Sequence, residues 1–62
     1  MIEYVKTILL KVSFDKKLFE KELRKGLNML TPAEVQEFKV WCYKTFAKIY
    51  LGVLNKYFVK LA

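Results

Sequence analysis

Residues 31–35 read Thr31-Pro32-Ala33-Glu34-Val35, and the rest of the chain is organised around them. Thr31 can cap a helix, Pro32 suits the first helical position, and Glu34 can reach back to the Thr31 amide. Together they form a capping box. Leu30 and Val35 occupy the two apolar positions that staple such a cap. A helix therefore starts here. No proline follows Pro32, and Gly52 is the only weak helix former beyond it. The expected helix runs over about 32–60, and a straight helix of about 30 residues spans about 45 Å.

Upstream, Ser13-Phe14-Asp15 marks a second start. With Asp15 as the cap, Phe14 and Phe19 make a hydrophobic staple. With Ser13 as the cap, Asp15 falls in the first turn and favours the helix dipole. Gly26 offers a stop, with Lys21, Arg24 and Lys25 gathered where the dipole prefers cations. A helix that instead runs through Gly26 loses about 1 kcal/mol relative to alanine. The expected span is about 15–29. Before it, Ile2, Val5, Ile8, Leu9 and Val12 recur at three- and four-residue steps and read as a short helix over about 2–12. The run Ile8-Leu9-Leu10 also suits a strand, but a strand with no mate is not viable. The expected fold is all-α: a small three-helix bundle or helical hairpin with a short N-terminal and a long C-terminal helix, one domain over 1–62.

The chain has 62 residues, 55% of them apolar, and a net charge of +6 from twelve Lys/Arg against six Asp/Glu. A domain this small hides only about 60% of the surface its unfolded chain exposes. Apolar side chains must stay wet or be covered by a partner. Aromatics at 16% argue against disorder. One cysteine, Cys42, excludes an internal disulfide framework. Glu3 near the start does not fit a signal peptide. The uncharged stretch from Ile49 to Asn55 is far short of the about 20 residues a membrane span needs. These features point to a soluble protein in a reducing, cytoplasmic setting.

The long helix carries two apolar stripes. One is Val35, Phe38, Cys42, Phe46, Ile49 and Val53. The other is Val40, Tyr43, Ala47, Tyr50, Leu54, Tyr57 and Leu61, which steps three and four like a coiled-coil seam. The stripes lie roughly 100° apart on the helix, so the helix contacts two neighbours. Either helices 1 and 2 fill both, or helix 2 covers one and a second chain covers the tyrosine seam.

The chemistry is sparse. With no histidine, one Ser, one Cys and one Asp, neither a Ser-His-Asp triad nor a Cys/His zinc site can be built. The two glycines are too far apart for a phosphate loop. No enzyme, cofactor, metal or small-molecule substrate is expected, and Cys42 reads as a small buried hydrophobe.

Basic residues are the remaining signal. From Phe38 onward there are five lysines, no carboxylate and seven of the ten aromatics. Trp41 falls on the polar side of the helix with Lys44 and Lys48, where an exposed indole can stack on a base while lysines hold phosphate. Helix 1 covering Trp41 is the plainer alternative. Lys17, Lys21, Arg24 and Lys25 share a side of helix 2, with Glu20–Arg24 and Glu22–Lys25 as intrahelical pairs.

Eleven lysines and a single arginine suit diffuse attraction to a phosphate backbone rather than base reading. The first expectation is a basic accessory protein of an RNA-containing assembly such as the ribosome, since size and charge suit such a protein, although arginine is scarce and apolar content high. The second is a protein-interaction module that pairs with another helical protein or a second copy through the tyrosine seam. The third, ranked well behind, is a membrane-surface helix that inserts Tyr57, Phe58 and Leu61.

Overall fold

The computed structural model describes residues 1–61, with side-chain environments through residue 59. Its secondary structure is entirely helical among those residues: α1 Ile2–Val12, α2 Lys16–Met29 and α3 Pro32–Leu61. The all-α bundle and its three helix spans are those expected from the sequence.

Each start follows from its cap. The Asp15 carboxylate accepts from the Leu18 amide at 3.1 Å, so Asp15 is the α2 cap and the Ser13 option is not used. Ser13 Oγ instead donates to the Leu10 carbonyl at 3.0 Å and closes the end of α1. At α3 the capping box is complete. The Thr31 amide donates to Glu34 Oε1 at 3.0 Å, and the Glu34 amide donates to Thr31 Oγ1 at 3.2 Å.

Gly26 does not stop α2, which continues to Met29 without a positive φ. Its role is clearance. A methyl group added there would fall 2.5 Å from Val5 Cγ1. The missing side chain lets α1 and α2 approach as an antiparallel pair.

The long helix departs from the expected straight rod. At Tyr50 the backbone leaves helical geometry, with φ −124° and ψ 31°. Beyond this kink the chain turns back on itself. The rings of Phe38 and Phe58 lie 6.2 Å apart, and those of Tyr43 and Phe58 5.9 Å apart. On a straight helix Phe38 and Phe58 would be about 30 Å apart. The longest dimension of the molecule is 27 Å, much less than the rod's about 45 Å. The α3 helix is thus two arms, 32–49 and 51–61.

The reversal answers the surplus of apolar surface. The two arms bury their stripes against each other as well as against α1 and α2. Phe38, Cys42, Phe46 and Val53 of the first stripe, and Tyr50 and Leu54 of the second, enter one core with Leu9, Phe19 and Leu23. Gly52 has no heavy atom near its missing side chain. Its contribution to the reversal is low helix propensity beside the kink.

Contacts fix the order of segments around the core. Val5 meets Gly26, which sets α1 beside α2. Glu20 bonds Lys56 and Tyr57, which sets α2 beside the second arm. The Phe58 contacts set the arms side by side. Lys6 over Trp41 sets the first arm beside α1. The result is an up-down-up-down ring of four helical segments.

Candidate functional site

The tyrosine seam expected to meet a partner is largely spent inside the chain. Tyr50 is 8% exposed and stacks on Phe19 at 4.3 Å, and its hydroxyl donates to the Ser13 carbonyl at 2.6 Å. Leu54 is fully buried. Tyr43 and Tyr57 are half-buried. The Tyr43 hydroxyl bonds Asn55 Oδ1, and the Tyr57 hydroxyl donates to Glu20 Oε1 at 2.8 Å. Ala47 is half-buried, and only Val40, at 64%, is largely exposed. Leu61 lies outside the residues whose side chains are described. The seam spacing is real, but its partners are α2 and the other arm of α3. Of the residues expected at a membrane surface, Phe58 is in the core and Tyr57 is half-buried.

Trp41 is not a free stacking platform. It lies 5.9 Å from Phe38 in a stacked pair, 5.5 Å from Phe46 edge-on, and under Lys6 Nζ at 5.5 Å. That last contact has cation–π geometry. Trp41 is half-buried, with Lys6 of α1 over its ring.

The basic residues singled out in the sequence do not converge. Lys44 and Lys48 are exposed on the first arm, by their helical spacing on the Trp41 side that meets α1. Lys17, Lys21 and Arg24 line a shallow surface with Glu20 and Tyr57, between α2 and the second arm. In the four-segment ring these two seams are opposite each other. Lys25 faces yet another way. It pairs with Glu22 at 3.9 Å and lines the α1–α2 groove with Tyr4 and Ile8.

Titratable groups play structural parts. The hydrogen bond from Lys56 (2.8 Å), then that from Tyr57, holds the Glu20 carboxyl below its ordinary range. The same contact raises Lys56 and Tyr57. The Thr31 amide lowers Glu34. Burial pushes the Cys42 thiol up to about 12, so it carries almost no thiolate at neutral pH and is a poor nucleophile. No group of three metal-ligating side chains occurs among the described residues.

A different set of residues comes together where α1 ends, α2 begins and α3 reverses. The Tyr50–Ser13 hydrogen bond ties these three points into one end of the molecule. Phe14 sits there 81% exposed, with Ile49 at 68%, Leu10 at 53%, Leu51 at 50% and Leu18 at 38%. Lys11, Lys16, Lys17 and Lys48 are exposed at the same end and form no ion pair with a described residue. Of the carboxylates beside this end, Asp15 is engaged as a helix cap and Glu20 is bonded to Lys56 and Tyr57. The opposite end also exposes Met1, Tyr4, Met29 and Val59, but it carries Glu3, Glu34 and Glu37.

Sequence reading assigned Phe14 to a staple with Phe19 and Ile49 to a core stripe, and so passed over this end. A signal was present: in Lys11-Val12-Ser13-Phe14-Asp15-Lys16-Lys17 an aromatic sits between lysines at a helix junction. No protein-family model, curated protein or solved structure matches the chain.

Proposed function

We propose that the protein is a non-enzymatic binding module that docks an anionic surface through the end where α1, α2 and the kink of α3 meet. One observation carries this reading: Phe14, 81% exposed, stands among further wet apolar side chains and four exposed lysines. Apolar surface left in water gains about 25 cal/mol per Å² when covered. A partner of opposite charge gains from both features at once. A cytoplasmic setting belongs to the proposal and is supported by a single, buried cysteine that has no mate in the chain.

A second reading, as an accessory of an RNA-containing assembly such as the ribosome, is favoured by the exposed row Lys17, Lys21 and Arg24. These residues suit phosphate contacts, without base stacking at Trp41. Pull-down from native lysate, with and without nuclease and with Phe14→Ser as the comparison, tests both. Docking through the end gives capture that falls with Phe14→Ser and with added salt. Capture that is lost with nuclease and insensitive to Phe14→Ser supports the RNA reading instead.

A further inference from the structure

Resting on the docking reading above, we infer that the surface this end recognises is an anionic lipid bilayer, entered by Phe14 with Leu10, Ile49 and Leu51 and held by Lys11, Lys16, Lys17 and Lys48. Three features select the bilayer over other anionic partners. First, the end is built by the three-residue junction Ser13-Phe14-Asp15 and a kink. The shallow hollow beside it mixes Ile49, Tyr50 and Val53 with the charged Lys16, Glu20 and Lys56, so it is not a continuous apolar groove of the kind that seats a partner helix. The apolar side chains project from four separate helix ends, and a soft interface accepts such projections without a matched shape. Second, nucleic acid would engage the lysines and the Phe14 ring but leave Leu10, Ile49 and Leu51 wet. Lipid headgroups and the upper acyl chains cover both kinds of side chain. Third, a second copy is disfavoured because each chain carries +6 and the lysines would face one another.

The attachment is peripheral, since no helix is long and apolar enough among the described residues to cross a membrane. It needs charge and insertion together. Lysines near an anionic surface act additively, and an inserted ring adds the gain of leaving water. Binding therefore depends both on anionic lipid and on Phe14.

Vesicle co-sedimentation of the full chain tests this. The protein is expected to bind vesicles of equimolar phosphatidylcholine and phosphatidylglycerol, and not vesicles of phosphatidylcholine alone. Phe14→Ser should weaken binding roughly tenfold or more, and Lys16→Gln or Lys17→Gln about fivefold each. Met29→Ser, at the opposite end, should leave binding unchanged. Circular dichroism shows whether each variant keeps its fold. No binding to the anionic vesicles at low salt overturns the inference, as does binding insensitive to Phe14→Ser. If vesicles fail while Phe14-dependent capture from lysate persists, the lipid falls and the docking reading stands. If neither responds to Phe14→Ser, both fall.

Discussion

At the α2–α3 corner the residue before the helix cap, Leu30, is 9% exposed, whereas its counterpart at the α1–α2 corner, Phe14, is 81% exposed. Both corners have a working cap and an apolar residue in the staple position. The difference lies in what the cap's fourth helical residue is doing. Val35 is half-buried at the edge of the core and lines one hollow with Leu30. Phe19 sits at the centre of the core, stacked on Tyr50 and edge-on to Phe46 at 4.8 Å, with no open face for Phe14. The kink of α3 brings Tyr50 to this corner, and its hydroxyl takes the Ser13 carbonyl. One corner is thereby closed on itself, and the other is pinned by a hydrogen bond while its aromatic is left in water.

The sharpest contrast is between the two phenylalanines. Phe19→Ala should cost about 3–5 kcal/mol. Phe14→Ala should change stability by no more than about 0.5 kcal/mol. Urea titration followed by circular dichroism measures both. A chain of this length has roughly 3–9 kcal/mol in total, so Phe19→Ala should leave a large unfolded fraction in buffer. A comparable loss for both variants would mean that Phe14 is packed and the corners are alike.

The two glycines come next. Gly26→Ala should destabilise by about 1–3 kcal/mol, because Val5 is β-branched and cannot swing clear of the new methyl. Gly52→Ala meets open space and should stabilise by about 0.5–1 kcal/mol through helix propensity. Thermal melts should therefore move in opposite directions. Equal signs would remove the distinction between clearance at α1–α2 and weak propensity beside the kink.

The caps should behave alike despite their corners. Thr31→Ala and Asp15→Ala should each cost about 1 kcal/mol, read from denaturant midpoints. A much larger loss at Asp15 would show that this corner depends on its cap more than its hydrogen bonds suggest.

The smallest effect concerns pH. The folded-state pKa values of Glu20 and Glu34 lie below the ordinary 4.5. Their contribution to stability is present above that value and is lost as pH falls through the lowered one. Both residues are half-buried at the surface with their carboxylates open to solvent screening, so the loss is modest. Glu20→Gln should flatten part of the acid limb of a stability–pH curve. An unchanged limb would detach Glu20 from the α2–second arm seam.

Much of the fold is legible in the sequence because caps are local. Thr31 and Glu34, or Asp15 and the Leu18 amide, need only their own neighbours, and the helix spans follow. The reversal at Tyr50 is not local. No proline marks it, and the three-four spacing of Tyr43, Tyr50, Leu54 and Tyr57 shows that a face is covered without showing by what. A second chain and a returning arm satisfy the same pattern. Ile49 keeps its phase in the first stripe, but the first arm ends at that residue and its side chain is 68% exposed. The candidate end was hidden for the related reason that its residues come from two stretches of chain, 10–18 and 48–51, brought together by the Tyr50 contacts with Ser13 and Phe19. For Trp41, helical phase alone left it among lysines. Only tertiary packing puts α1 and Lys6 over it.

The return of α3 on itself underlies both the filled core and the exposed end, and an intramolecular nuclear Overhauser measurement between the Phe38 and Phe58 rings tests it most directly. With isotope filtering to exclude contacts between chains, the rings at 6.2 Å should give cross-peaks between their facing edges. Absence of those cross-peaks, together with unbroken helical connectivities through residues 49–52, would restore the straight rod and contradict the account.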